Sequence, residues 1–249
     1  MLVSLDSVVE TVRSHTFYVK KVHDHETIFK LMRIWKNLVA SGQKAEARAL
    51  NPRILNLCGA MAEKKEKKMQ LFSDEETIQF FKRTVKKALN GEPSSEELTI
   101  LLQTLYSCRA NTDAYYKGGL FSMVLELVNR DLSPGPVIDY LIRIDLNAHL
   151  INEIYQRGLF NKLVEALSSE ARDEKERALL NLWIKLAGKV CISRAIQDRF
   201  RGKDLHGKAW QLLKGSSSPT EKLNLCYFYA YLVVKNEAIG EWLMQSKAA

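Results

Sequence analysis

Apolar residues recur along this chain at three-to-four spacing, the mark of helices that bury one face. At regular distances the runs are interrupted by the same punctuation: a small polar break, a short helical stretch, then Gly or Asp ahead of a second apolar run. The phrase reads LLQTLYSCRANTDAYYKGGLFSMVLELV from Leu101, LIRIDLNAHLINEIYQRGLFNKLVEAL from Leu141 and LWIKLAGKVCISRAIQDRFRGKDLHGKAWQLL from Leu182. The leucines that follow the Gly or Asp, Leu120, Leu159 and Leu205, lie 39 and 46 residues apart. A period of about 40 to 47 residues is that of a two- or three-helix unit repeated along a stack. Each unit then packs on its neighbours, and the array offers surfaces for binding.

The remaining segments carry helix starts and stops. Val8, Val9 and Val12 pattern an opening helix from Leu2 to about His23. After Asp24, the residues Ile28, Leu31, Met32, Ile34, Trp35 and Leu38 form an apolar stripe that Gly42 ends. Asn51-Pro52 is expected to open the next unit, because Pro suits a first helical turn. Ser73 is the expected cap of SDEETIQFFKRTVKKALNG, with acids in its first turn and a stop at Gly91. Pro93-Ser94-Ser95 precedes the helix carrying Leu98 to Leu105. Ser133-Pro134-Gly135-Pro136, then Ser168-Ser169 with Asp173, then Gly215 to Pro219 introduce three longer helices, and EAIGEWLMQ would cover the C-terminal end. Alternating β-branched positions between turn residues are missing, so the expected class is all-α. The pattern predicts about five units in one domain over 1–249: a cap or atypical repeat at 1–50, repeats at 51–235 and a capping helix at 236–249.

This order of elements resembles the armadillo repeat, and HEAT-like repeats share most of it. Tyr106-Ser107 through Tyr116, with Gly118-Gly119-Leu120 and Val124-Leu125, match the repeat, as do Leu146 to Ile154 with Gly158-Leu159 and Leu163-Val164. Ala187 to Ile196, Leu205 and Leu212-Leu213 form a third copy with a longer loop. The resemblance implies a right-handed superhelical solenoid whose long third helices line a concave face that holds extended peptides or partner helices. Nuclear-import members of the family carry Asn and Trp at fixed places on those helices. Here Thr104, Arg143, Lys185 and Ala230 stand at the Asn places and the Trp ladder is missing, so binding of nuclear-localisation signals is not expected.

Composition agrees with a folded chain: 46% of its 249 residues are hydrophobic, 27% are charged, and mean hydropathy is -0.20. No apolar run approaches the ~18 residues of a membrane span. The opening residues lack a basic lead and a cleavage motif, so an intracellular protein, cytoplasmic or nuclear, is expected. Cys58, Cys108, Cys191 and Cys226 sit singly among apolar helix residues and are expected to be reduced, buried thiols. The net charge of +8 is lopsided, since residues 1–90 hold 17 Lys and Arg against 10 Asp and Glu. An acidic partner, nucleic acid or an anionic surface would suit that end.

Candidate chemistry is sparse. Phosphate-loop, dinucleotide, metalloprotease and nucleophile-elbow motifs are missing, and no cofactor is expected. His23-Asp24-His25 gives two metal ligands without a third and reads as a helix boundary, and His149 and His206 fall in repeat turns. Asp74, Glu75 and Glu76 read as first-turn acids. Two surfaces stand out. Lys64, Lys65, Lys67 and Lys68, with Lys82, Arg83, Lys86 and Lys87 opposite Ile78, Phe81, Val85 and Leu89, would make an anion or nucleic-acid patch. Along the third helices, Thr99 and Gln103, then Asp139 and Arg143, then Arg177, Asn181 and Lys185 would line a polar peptide groove, with Leu179, Leu182, Trp183 and Leu186 facing the core. The run Tyr227, Phe228, Tyr229 and Tyr231 covers more than one helical face, so at least one ring is expected outside the core, either packed under the C-terminal helix with Trp242 and Leu243 or forming a hydrophobic docking spot. The expectation is a non-enzymatic interaction module, an adaptor, scaffold or co-chaperone-like protein that binds a peptide or helix of a protein partner. A nucleic-acid-binding solenoid is the alternative, and an enzyme acting on DNA bases a weaker third.

Overall fold

The structure, a computed structural model, describes residues 6–10, 27–63, 70–92, 95–169, 173–191, 193–233 and 237–246. Among the described residues the regular elements are helices, with no strand. They gather into two units, Met1–Leu132 and Ser133–Ala249.

The first unit contains α1 (Thr27–Ala40), α2 (Lys44–Glu63), α3 (Glu75–Leu89), α4 (Ser95–Ser107), α5 (Thr112–Lys117) and α6 (Leu120–Asn129). α3 packs against both α1 and α6, while α2 packs along α4, so two layers of helices enclose the apolar residues. Trp35 of α1 meets Phe80 of α3 edge-on at 5.2 Å. The predicted start at Asn51-Pro52 is corrected: α2 runs through both residues. An interior Pro costs about 3 kcal/mol, but Leu50, Ile54, Leu55, Leu57 and Cys58 on either side of it are all buried. Arg53 Nη1 donates to the Ala49 carbonyl at 2.8 Å, satisfying one acceptor beside the Pro. The α3 cap is Asp74 rather than Ser73; its carboxylate accepts from the Glu76 amide at 2.8 Å. A carboxylate complements the helix N-terminus better than a hydroxyl does.

The second unit contains α7 (Pro134–Arg143), α8 (Ala148–Gln156), α9 (Leu159–Ser168), α10 (Glu174–Val190), α11 (Arg194–Gly202), α12 (Leu205–Gly215), α13 (Pro219–Val233) and α14 (Glu237–Ser246). α10 lies between α7 and α13, and α9 packs on α12 in the other layer. Asp173, which the sequence places ahead of this helix, caps α10, accepting from the Glu176 amide at 2.8 Å. Phe160, Phe200 and Phe228 form a chain of ring contacts from α9 through α11 to α13, at 5.1 and 5.7 Å.

The three leucine anchors, Leu120, Leu159 and Leu205, are fully buried. The residue before each is left-handed: Gly119 at φ 73°, Gly158 at φ 79° and Asp204 at φ 52°. That conformation swings the chain from the short helix into the next one, and glycine adopts it without a Cβ penalty. The third copy uses Asp instead. Gly207 makes room for it, since a Cβ there would lie 2.6 Å from Asp204 Oδ1.

Candidate binding surfaces

The long helices of the second unit carry the strongest polar pattern. On α7, Arg143 Nε meets Asp139 Oδ2 at 2.8 Å one turn away. On α10, Arg177 and Lys185 are exposed, and Asn181 is half-buried between them. Asn181 Nδ2 donates to the Arg177 carbonyl at 3.1 Å, and Asn181 Oδ1 accepts from Asn224 Nδ2 of α13 at 3.0 Å. Two carboxamides thus bridge successive long helices, and Asn224 is itself buried.

The sequence reading missed Asn224, because it placed Ala230 in the equivalent register. Asn224 is three residues from Glu221 on the same face of α13, and a 43-residue offset matches it to Asn181. The missed signal was the Asn at that offset. A second correction concerns the buried side of α10: Leu180, Trp183, Ile184, Leu186 and Ala187 are buried, while Leu179 and Leu182 are half-buried. The stripe was drawn for a helix with one apolar neighbour. α10 has α7, α9 and α13 around it, which turns and widens its buried arc. Gly188 sits where α13 comes closest; a Cβ there would lie 3.5 Å from Phe228 Cα. Lys189 Nζ donates to the carbonyls of Ile142 and Ile144, closing the C-terminal end of α7. Burial lowers the Lys189 pKa from its ordinary value, against the pull of Asp145.

The aromatic run on α13 divides. Phe228 and Tyr229 are buried, and Tyr229 donates to the His206 carbonyl. Tyr227 is 59% exposed and Tyr231 46%. Two rings of the run thus lie outside the core, and Trp242 sets its ring on His206 at 4.7 Å and on Trp210 at 6.3 Å. His206 Nε2 stands 3.6 Å from Asp204 Oδ1, and desolvation lowers the His206 pKa. His149 is exposed.

In the first unit, Thr99 and Gln103 lie exposed on α4, and Thr99 Oγ1 donates to the Ser95 carbonyl at 2.9 Å. On α3, Ile78, Phe81 and Val85 are buried as expected and the cations lie opposite. Three of those cations are engaged. Lys82 Nζ donates to the Gly118 carbonyl at 3.0 Å, Arg83 lies over the Trp35 ring at 5.3 Å, and Lys87 Nζ meets Glu97 Oε2 at 3.6 Å. Glu97 also accepts from the buried Asn51 amide. Lys86 is exposed. Lys64, Lys65, Lys67 and Lys68, like His23, Asp24 and His25, lie outside the described residues.

Cys58, Cys108 and Cys191 are buried as expected, and Cys226 is exposed, which corrects the fourth. It falls on the outer side of α13 with Tyr227. Burial pushes the Cys108 thiol up to about 12 and raises Cys58 and Cys191 as well. Such thiols are poor nucleophiles. Among the described residues no group of three His, Cys, Asp or Glu is placed to hold a metal ion, and no helix is long and apolar enough to cross a membrane. Each unit has a cavity: about 580 Å³ beside Trp35 and Phe80 in the first, and about 520 Å³ at the start of α13 in the second.

No family model matches the chain, and no curated protein matches it. Solved structures do. An engineered protein from a structural genomics consortium aligns with a TM-score of 0.64 at 13% identity, covering 93% of this chain and 89% of that one. A designed armadillo repeat protein in complex with the peptide (KR)4 aligns at 0.65 and 10% identity, covering 92% and 91%. Computationally designed armadillo repeat proteins for modular peptide recognition align at 0.65 and 10%, covering 91% of each chain. The fold is an all-α armadillo-like repeat solenoid.

Proposed function

We propose that the chain is a non-enzymatic protein-binding scaffold that holds an extended segment of a partner protein along the long helices α7, α10 and α13. The observation that supports this most is the Asn181–Asn224 bridge, flanked by the exposed cations Arg177 and Lys185. Packed helices are spaced ~8–10 Å apart, and an extended chain advances ~3.3 Å per residue, so each helix meets the peptide about every third residue. A carboxamide offers both a donor and an acceptor to a peptide backbone. The architecture shared with designed peptide-recognition proteins supports the same reading. An adaptor role, bringing the bound segment's parent protein to other components, follows from a scaffold without catalytic machinery of its own.

The test is a display selection of random peptides on the purified chain, followed by calorimetric titration of a selected sequence. Arg177→Glu with Lys185→Glu is expected to lower affinity by at least about tenfold. Loss on reversing Lys82, Arg83, Lys86 and Lys87 instead, with α10 reversal silent, would move the interface to α3 and overturn the proposal. The nucleic-acid reading gains no support from α3, because Lys82, Arg83 and Lys87 already serve internal partners. It predicts gel retardation of DNA or RNA with a steep salt slope that those four reversals flatten.

A further inference from the structure

α13 is apolar on every side. Its run LCYFYAYLV, from Leu225 to Val233, holds no charged or amide side chain, and a helix of that kind is normally buried all round. Here one side is covered: Asn224, Leu225, Phe228, Tyr229 and Leu232 are buried, and α13 packs on α10, α12 and α14. The other side is open. Leu223 is 54% exposed, Tyr227 59% and Tyr231 46%, and Cys226 and Ala230 are exposed beside them. Leu223, Cys226, Ala230 and the half-buried Val233 follow at steps of three, four and three, the seam along which one helix packs on another. α10 lies between two long helices and buries Leu180, Trp183, Ile184 and Ala187; among the described residues α13 has a long helix, α10, on one side.

We propose that this seam joins two copies of the chain, α13 running antiparallel to α13 about a two-fold axis. The order of side-chain sizes along the seam carries the inference. With the axis level with residue 228, Leu223 falls opposite Val233 of the second copy and Cys226 opposite its Ala230. The two small residues then lie at the crossing, where the helix axes come closest, and the two larger ones at the outer ends, where crossed helices diverge. Large residues at the middle would hold the axes apart. The seam carries no charge, so nothing in it repels its own copy or selects a charged partner, and Lys222 stands at its edge. Tyr227 flanks the crossing in each copy, adding apolar area while its hydroxyl stays at the wet rim. At ~200 Å² per aromatic side chain, Tyr227 and Tyr231 together offer roughly 200 Å² per copy. With the seam, a dimer would bury about 1,000 Å², the low end for a specific contact, so the association is weak and depends on concentration. The inference goes beyond the peptide-binding reading and does not rest on it, because no seam residue is among Arg177, Asn181, Lys185 and Asn224.

Sedimentation equilibrium of the full chain in reducing buffer tests this. The mass is expected to rise from the 28.5 kDa of one chain toward twice that value, with a Kd of about 1–100 µM. Ala230→Glu places a charge at the crossing in both copies, at a position that faces solvent in the single chain. It is expected to weaken association at least about tenfold while the helical circular dichroism is kept. A short bismaleimide is expected to link Cys226 to Cys226 across the axis in the parent and to fail in Ala230→Glu; Cys58, Cys108 and Cys191 are buried. A chain that stays monomeric to about 300 µM overturns the proposal, the low end of specific interfaces being micromolar. A dimer that Ala230→Glu leaves intact, or that the bismaleimide cannot link through Cys226, overturns it too. Should Ala230→Glu fail to fold, Leu223→Glu at the outer end of the seam takes its place, with the same loss expected and the same result, an unchanged dimer, overturning the proposal.

Discussion

The cations on α3 and those on α10 look alike in the sequence and live differently in the structure. On α3, Lys82 closes on a backbone carbonyl, Arg83 covers an indole ring and Lys87 pairs with a carboxylate that also holds Asn51. On α10, the side chains of Arg177 and Lys185 are exposed and form no hydrogen bond or ion pair among the described residues. Of the four α3 cations only Lys86 is exposed without such a partner, while both α10 cations are. Charge density marks a region, but availability depends on what each cation touches.

The largest effect should come from Glu97→Ala, which strands the buried Asn51 amide and leaves Lys87 unpaired; a loss of about 2–4 kcal/mol in urea unfolding is expected. Wild-type stability would break the contrast at its α3 side. Next, Lys82→Ala and Lys87→Ala should each cost about 1 kcal/mol, while Arg177→Ala and Lys185→Ala stay within about 0.5 kcal/mol. Equal losses on both helices would remove the distinction. The turns ahead of the leucine anchors sharpen it in another way, since two use Gly119 and Gly158 and the third Asp204 in the same left-handed conformation. Asp204→Gly is expected to stabilise by about 0.5–1 kcal/mol, read as a raised Tm. The exposed ion pair on α7 should matter less: Asp139→Ala is expected to cost under about 0.5 kcal/mol.

The smallest effect is with pH. His206 has a folded-state pKa below its ordinary 6.5, so the unfolded chain takes up a proton first as pH falls. Its contribution to stability is present above the ordinary value and declines as pH drops through it. Tm should therefore fall more between about pH 7.5 and about pH 5.5 in the parent than in His206→Gln. Asp204 favours the proton on His206 and Arg201 opposes it, so both belong in the control set.

Much of the fold was legible because burial follows periodicity. Leu120, Leu159 and Leu205 were picked out by a recurring Gly or Asp, and all three are fully buried behind left-handed turns. The start of α10 was legible at Asp173 because helix starts are local chemistry. Asn51-Pro52 was misread as a start, since a local rule cannot weigh the burial that carries α2 through a Pro. Of the groove residues, Arg177, Asn181 and Lys185 do share one side of α10, yet the partner of Asn181 was missed. Spacing within one helix reports which residues share a face; the register between two helices depends on contacts such as those of the Phe228 backbone and the Tyr231 ring against Gly188.

By itself, the sequence determined that the chain is helical, that its units recur about every forty residues, and where most helices start and stop. Those properties depend on neighbours a few residues away, and a linear pattern can encode them. Tertiary structure alone decided that three of the four α3 cations have internal partners, that Asn181 meets Asn224 and that Cys226 is exposed. The contacts among them join residues 10 to 48 positions apart along the chain, each on a different element. Whether such groups meet is set by the packing of whole helices, which no pattern of near neighbours along the chain encodes.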